Sequence, residues 1–400
     1  MDLQKRSAGT LADLIALLAR DASRVNPTDK IVKNLCTFLC SDTAKTPVLE
    51  DNQSHSGILS IQKDDTSNGK AAAAAAAKES AAAQTPAQKE AQLMKRGAEI
   101  ALEALCNQFG GRVFETVPKL WECMCARLQE VFGHDEPESG VPNADAAIQA
   151  NLAIGQEVID TLTIMTTVVP YLSRDLHPKV RFFKNRFEVS DTSDMLFTQV
   201  IEVTPIICKV LQSCYEVIRY VGARCLATIA NTIPTEAMQI VIEQVLPLLG
   251  DTVNHLHRQG AAEFIYYLVQ LLDTKILPYT IFLIVPVLGR MSDTDDAVRL
   301  ICTNCFALLI RLVPLEAGIP DPPGMSERLL AHRDEERKFL SQLLDNSKVE
   351  NFEIPVKIKA ELRKYQQEGV NWLAFLNKFH LHGILCDGMF NPLCKLVSMC

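Results

Sequence analysis

Apolar side chains recur along this chain at intervals of three and four residues, and the interval holds over most of its length. Leu11, Leu14, Ile15 and Leu18 predict a first helix, and Ile31, Leu35, Phe38 and Leu39 a second, with Asn26 as its N-cap and Pro27 at its first helical position. Residues 1–40 therefore read as one helical hairpin. From Leu93 to Leu315 the pattern is helical throughout, with helices expected at 116–131 and 145–172 on either side of the acidic, Pro- and Gly-containing loop GHDEPESGVPN.

The last part of that span repeats. Arg219, Arg258 and Arg299 are 39 and 41 residues apart. Three positions after each stand Gly222, Ala261 and Cys302, and one further on Ala223, Ala262 and Thr303, all small. Leu226, Ile265 and Phe306, then Ile229, Leu268 and Leu309, then Ile233, Leu272 and Val313 complete one apolar helical face. Upstream of each arginine a proline (Pro205, Pro247, Pro286) lies within an apolar run that reads as a partner helix. Two helices per unit of ~40 residues is the period of HEAT and armadillo arrays. The predicted fold is all-α, a HEAT/armadillo-like α-solenoid, with residues 93–315 as its repeats.

Two stretches break the pattern. Residues 41–92 contain no Phe, Tyr or Trp, only five strongly apolar side chains (Val48, Leu49, Ile58, Leu59, Ile61), and ten alanines between Ala71 and Ala83. So little apolar surface does not offset the entropy of ordering, and the span reads as a disordered insertion. Residues 316–358 open on EAGIPDPPGMS, which stops the solenoid. A charged amphipathic helix follows over Glu327–Asp345, its stripe made by Leu329, Leu330, Phe339, Leu340, Leu343 and Leu344, and then an extended segment, ENFEIPVKIKAEL.

Composition narrows the function classes. Aromatics are 6% of the chain against 48% apolar, which suits packed helices better than a β-sandwich, and the net charge of −8 excludes a chain coated in nucleic-acid-binding positive charge. Asp13 interrupts the N-terminal apolar run, no small-residue cleavage site follows, and nothing else approaches ~18 uninterrupted apolar residues, so neither a signal peptide nor a membrane span is expected. Thirteen cysteines, mostly inside helical patterns (Cys36, Cys106, Cys208, Cys225, Cys302, Cys305), point to a reducing compartment, cytosol or nucleus. Cys302-x-x-Cys305 and Cys123-x-Cys125 have no second pair at zinc spacing and read as buried structural thiols. His255-x-His257 sets two rings about 200° apart on a helix, against shared metal ligation. No serine carries a nucleophile-elbow glycine pattern.

The chemistry-bearing string is C-terminal: LRKYQQEGVNWLAFLNKFHLHGILCD, residues 362–387. Trp372, Phe375, Leu376 and Phe379 keep a helical period, and Gly383–Cys386 suits a short buried strand. The string Leu362-Arg363-x-Tyr365-Gln366-x-x-Gly369-Val370-x-Trp372-Leu373, with Gly383-Ile384-Leu385-Cys386-Asp387 after it, resembles the opening of the Swi/Snf-type helicase-like ATPases. The resemblance implies that Gln366, beside Tyr365, holds the position that contacts adenine, and that residues 359–387 are the N-terminal edge of an α/β ATPase lobe. After Asp387 the chain reads GMFNPLCKLVSMC, without the glycine-rich turn and Lys-Ser/Thr pair that cradle phosphate and hold Mg²⁺. Residues 388–400 are therefore expected to be a tail foreign to the family, as in a truncated or alternatively spliced product.

HEAT-like repeats joined through a charged helix to that opening resemble the TATA-binding-protein-associated factors with a Swi/Snf-type motor. That resemblance implies a nuclear regulatory scaffold of the transcription machinery. Its solenoid would meet TATA-binding protein or other transcription proteins, and ATP, Mg²⁺ and DNA would be engaged only by the intact motor. The expected chain is non-catalytic, with no cofactor or metal of its own and no membrane partner. Residues 355–382 carry a net charge of +3 from Lys357, Lys359, Arg363, Lys364 and Lys378 against Glu361 and Glu368, interleaved with Tyr365 and Trp372, and read as a solvated helix face unless the motor is whole. A generic HEAT adaptor of the transport or phosphatase-scaffold kind fits the repeats alone and leaves residues 362–387 unexplained.

Overall fold

Helices begin where the sequence supplies caps. The computed structural model describes residues 2–19, 27–42, 46–49, 85–133, 144–173, 176, 181–183, 186–188, 191–313, 327–345, 348–356, 361–378 and 383. Most of the expected disordered insertion, the Asn26 cap, the Ile384–Cys386 part of the expected strand and the 388–400 tail lie outside the described residues. The chain forms two units, 1–276 and 277–400, a division that falls inside the span read as one repeat array. At that point Asp273 takes a positive φ of 49° after the last helix of the first unit, and a 3₁₀ segment, Asp273–Tyr279, follows.

In the first unit α1 (Asp2–Leu18) and α2 (Pro27–Leu39) both pack on α3 (Pro86–Phe109). The faces they bury differ from the expected ones. Ala8, Ala12 and Ile15 are sealed on α1 while Leu14 is 47% exposed; Val32, Leu35, Cys36 and Leu39 are sealed on α2 while Phe38 is 41% exposed. A stripe of three- and four-residue spacing is wider than one contact, and α3 selects which edge of it is covered.

Both edges of the 41–92 span are ordered, correcting its expected boundaries. Thr85 caps α3 in a capping box with Gln88, with Pro86 in the first turn, so the helix starts seven residues before Leu93. At the other edge Asp42 is buried, the Ser41 hydroxyl donates to the Ala91 carbonyl at 3.3 Å, and the Leu49 N–H donates to Gln156 Oε1 at 3.0 Å.

Beyond a short turn of helix, α4 (Val113–Thr116), come α5 (Pro118–Phe132), α6 (Ala144–Ala150) and α7 (Leu152–Val168). The single helix expected over 145–172 is broken at Asn151, whose extended backbone and side-chain bond to the Ala153 N–H (3.1 Å) make it the N-cap of α7. Leu152–Leu172 is long and apolar enough to cross a membrane, as is His255–Gly289. In α7 that apolar length lies against α5 and α9 (Glu216–Thr232), with Val158, Ile159, Leu162 and Val168 wholly sealed.

Between these helices the uniform helical expectation fails. β1 (Arg181–Phe183) and β2 (Arg186–Glu188) pair antiparallel, Phe182 opposite Phe187 and Arg181 opposite Glu188. The segment RFFKNRFE is too short to outvote helical residues in a wide window.

The remaining helices of this unit are α8 (Asp191–Val210), α10 (Pro234–Ile240), α11 (Leu246–Leu249) and α12 (His255–Leu272). A π-helical turn, Val241–Val245, joins α10 to α11 just before Pro247. A proline lacks an N–H and crowds the carbonyl four residues earlier, and the wider turn relieves both. α9 is held by α7, α8 and α12, and its repeat positions Ala223, Leu226 and Ile229 are sealed, as are Ala262, Ile265 and Leu268 of α12. Gly260 is needed for this seam: a Cβ there would lie 1.9 Å from the Leu211 carbonyl oxygen.

In the second unit α13 (Thr280–Gly289) packs on α14 (Asp296–Leu309) and α15 (Glu327–Leu344), and α16 (Lys364–Lys378) follows. Cys302, Cys305 and Leu309 of α14 are buried, whereas Thr303 is exposed and Phe306 half-buried. On α15 the stripe is narrower than expected, with Leu329, Phe339 and Leu340 buried but Leu344 61% exposed. The described architecture is all-α apart from the β1–β2 hairpin.

Candidate functional site

The repeated arginines share one local job. Each stands in the first turn of a helix and turns its guanidinium back onto carbonyls of the preceding loop. Arg219 Nη1 donates to the Ser213 and Cys214 carbonyls at 2.9 and 3.2 Å, Arg258 Nη1 to Asp251 at 2.8 Å, and Arg299 Nη1 to Asp293 and Thr294 at 2.6 and 3.1 Å. A loop carbonyl near a helix–helix junction lacks a ladder partner, and a charged donor satisfies it at a net gain of about 1.5–3 kcal/mol.

The loops are themselves tied by acids. Asp251 accepts from the Val253 and Asn254 N–H groups and from His257 Nδ1 (2.8, 3.0 and 2.8 Å), and these bonds, the backbone ones first, pull its carboxyl down to about 2. Asp145 Oδ1 accepts from the Ser213 hydroxyl at 2.6 Å, and Asp293 Oδ1 from the Asp295 N–H at 2.9 Å. His255 is exposed while His257 serves the Asp251 turn, so the two rings have separate surroundings.

Arg219 has a second neighbour that its repeat spacing did not announce. Glu263 of α12 places Oε2 3.7 Å from Arg219 Nε, with both side chains 2% exposed, and Gln259 Nε2 donates to Glu263 Oε1 at 2.9 Å. Burial pushes the Glu263 carboxyl up to about 7 against the pull of Arg219 and Gln259, with Glu216 adding to the rise.

The C-terminal string has its own geometry. Tyr365 is 47% exposed. Gln366, also exposed, turns Oε1 back to accept the Arg363 N–H at 2.9 Å, the reach-back half of a helix start, while its own N–H donates to the Arg363 carbonyl. One position on, Gln367 Nε2 donates to the Phe352 carbonyl (3.0 Å) and to Asn371 Oδ1 (2.8 Å). Asn371 accepts from the Phe352 N–H (2.9 Å) and donates to Asn351 Oδ1 (2.8 Å). These two side chains strap segment 351–352 along α16. Phe375 stacks on Phe339 of α15 with ring centroids 5.6 Å apart, and a Cβ at Gly383 would meet Trp372 and Leu376 at 2.6 and 2.5 Å. Tyr365 and Gln366 thus stand at the open start of a helix whose other face is packed.

Among the described residues no three His, Cys, Asp or Glu side chains are grouped to hold a metal. Cys302 and Cys305 are buried in α14, where burial pushes Cys302 up to about 12 and Cys305 well above the usual thiol range; Cys125 donates to the Trp121 carbonyl at 3.1 Å. The Gln367–Asn371 strap and Glu263 were missed by sequence reasoning. The i, i+4 spacing of Gln367 and Asn371 beside the extended Asn351–Phe352 was the available signal for the first.

Residues 1–123 match the family described as Domain of unknown function (DUF3535). Over 97% of its length the chain is 43% identical to the TATA-binding protein-associated factor mot1 of Aspergillus fumigatus and 39% identical to the TATA-binding protein-associated factor MOT1 of Saccharomyces cerevisiae, in each case spanning 19% of the relative. Over 91% of its length it is 36% identical to the human TATA-binding protein-associated factor 172, spanning 20% of it. The chain therefore spans about a fifth of the length of the curated relatives it matches. Helical pairs closed by repeated arginines and the Tyr365–Gln366 helix start thus belong to a chain that is similar, over 91–97% of its length, to a stretch of the TATA-binding protein-associated factors.

Proposed function

We propose that this chain is a non-catalytic, transcription-regulatory scaffold of HEAT-like helical hairpins, corresponding to part of a nuclear factor that uses ATP to remove TATA-binding protein from DNA. The observation that carries this reading is identity of 43%, 39% and 36% with proteins named for their association with TATA-binding protein, spread over nearly the whole chain. The match spans 97% of the chain in the two fungal relatives, so it is not confined to one helical pair.

In this reading the helical pairs are the rigid part. Arginine-closed turns hold neighbouring helices in a fixed register, which gives a partner protein a surface that costs little to order. TATA-binding protein or another protein of the transcription machinery is the partner. The helix start at Tyr365 and Gln366 is the edge of the motor lobe, with Gln366 at the adenine position. Adenine recognition alone does not position a γ-phosphate, and no Gly-Lys-Ser or Gly-Lys-Thr occurs among these 400 residues. ATP and Mg²⁺ are accordingly cofactors of the whole factor, and DNA is gripped by its whole motor.

The test uses the purified chain with purified TATA-binding protein, with and without TATA-containing DNA, in a binding titration, and a separate ATP-turnover assay. Saturable association with TATA-binding protein and no ATP turnover above a contaminant control are expected. Magnesium-dependent turnover would overturn the non-catalytic reading, and absence of association under all conditions would overturn the assignment of this partner to this segment.

A further inference from the structure

α16 has two inward faces. Gln367, Asn371 and Phe375 recur at four-residue intervals and form one stripe; Trp372 and Leu376 form the next, about 100° round the helix. The second stripe meets Gly383, where an added Cβ would lie 2.6 Å from Trp372 and 2.5 Å from Leu376. The first meets the charged helix and the segment after it. Phe375 and Phe339 of α15 are both buried, and their rings stack only 12° from parallel. Asn371 accepts the Phe352 N–H and donates to the Asn351 side chain, while Gln367 donates to the Phe352 carbonyl, so both backbone groups of Phe352 are held by α16.

The same segment is tied from the other side. Lys338 Nζ of α15 lies 2.5 Å from Glu350 Oε1 and holds that carboxyl below the usual carboxylate range, with Lys378 of α16 pulling the same way. Residues 350–352 are therefore bound to α15 at one position and to α16 at the next two. α15 in turn packs on α13. An exposed ion pair alone fixes little. A buried aromatic stack and a closed set of amide bonds fix much more, because few other arrangements satisfy them all. The open face of α16 carries Lys364, Tyr365, Gln366 and Glu368, all exposed.

We propose that α15, residues 350–352 and α16 are one rigid coupling element, in which Gln367 and Asn371 are positioning residues that lock the helix start at Tyr365–Gln366 to α13 and α14. What Tyr365 and Gln366 do at that edge rests on the proposed function; their attachment to the scaffold does not. A motor lobe built on α16 would pass its displacement to α15 without slack, and a partner that shifts α13 or α15 would shift the adenine-side edge with it. A flexible tether between independently moving parts, the default between domains of one chain, would allow neither.

The experiment is hydrogen exchange read by mass spectrometry on the full chain, free of partner and nucleotide. A single coupling element opens as one unit, so the slowest amides of 327–344 and of 364–378 are expected to agree in protection within about tenfold. Asn371→Leu keeps the bulk and removes the strap; it is expected to speed exchange over both helices by about tenfold or more and to leave Thr280–Leu309 unchanged. Phe339→Ala alters no residue of α16, yet is expected to speed exchange over 364–378 by a similar factor, which a merely local role for Phe339 in α15 would not do. In the unmutated chain, α16 exchanging more than about tenfold faster than α15 would overturn the proposal. So would either substitution acting on its own helix alone. The unmutated comparison decides the matter even where a variant fails to fold. Neither TATA-binding protein nor ATP enters the assay, so failure to bind them would count against the proposed function and leave the coupling standing.

Discussion

Glu263→Gln is the substitution that tests the buried pair between α9 and α12. The folded side chain is held near pH 7 by burial, whereas the unfolded one titrates near 4.5. Below about pH 4 both states carry the neutral acid, and the glutamine variant differs little from the parent. Between the two values the folded state keeps a proton that the unfolded state has released, so the parent loses stability as pH rises and levels off above about 7. The separation is about 2.5 pH units at 1.36 kcal/mol each, a loss of about 3 kcal/mol between pH 4.5 and 7.5 that the glutamine, with no proton to lose, does not suffer. Glutamine keeps an oxygen to accept from Gln259, and Arg219 keeps its two carbonyl partners. Urea unfolding of both proteins at half-unit pH intervals, followed on the transition of the first unit, isolates this one group because every other titration is common to the pair. The variant is expected to gain on the parent by about 3 kcal/mol across that window. A difference that does not vary with pH would refute the reasoning, and a parent that gains stability through the window would show that attraction by Arg219 outweighs burial.

Gly260→Ala is expected to cost several kcal/mol because its Cβ would lie 1.9 Å from backbone at Leu211, whereas Gly369→Ala, with open space around the new methyl, is expected to stabilise α16 by about 0.5–1 kcal/mol; thermal melts of the two variants check both signs. Arg258→Met removes the donor to the Asp251 carbonyl and is expected to cost about 1–3 kcal/mol in urea unfolding, with a cost indistinguishable from zero counting against the closing role of the repeated arginines.

Much of the fold was legible because helices announce themselves through apolar spacing and caps. Pro27 and the helices that carry the three arginines are where the pattern put them, whereas the helix expected from 116 begins at Pro118, after a break at Val117. What the pattern does not carry is the identity of the neighbour. Leu14 and Phe38 satisfy the period of α1 and α2 as well as Ile15 and Leu39 do, yet α3 covers only one edge of each stripe. The break at Asn151 was hidden for a related reason: a polar cap occupies one position and leaves the apolar spacing on both sides nearly in phase, so the period runs through it while the backbone does not. The edge of the insertion failed differently. Polar, alanine-rich composition argues against a core, but Thr85 and Gln88 nucleate a helix by local bonds that need none.

The candidate sites divide along the same line. Spacing alone singled out Arg219, Arg258 and Arg299, because a repeat preserves a residue type at a fixed distance. Their task was invisible, since the acceptors are backbone carbonyls of Ser213, Asp251 and Asp293 and a carbonyl has no letter in the sequence. Glu263 was doubly hidden. It falls at a position where an acid on a helix is normally solvated, and its partner is 44 residues away on another helix. Gln366 shows the converse. Its resemblance to a family motif assigns it a ligand, while its place three residues after Arg363 gives it a helix to start. The two tasks use different atoms: Oε1 faces the Arg363 N–H, and the amide nitrogen is the donor an adenine would need. On the proposed reading the local bond holds Oε1 and leaves the amide nitrogen as the free donor, so Gln366→Glu, which keeps the acceptor and removes that donor, is expected to leave the start of α16 in place.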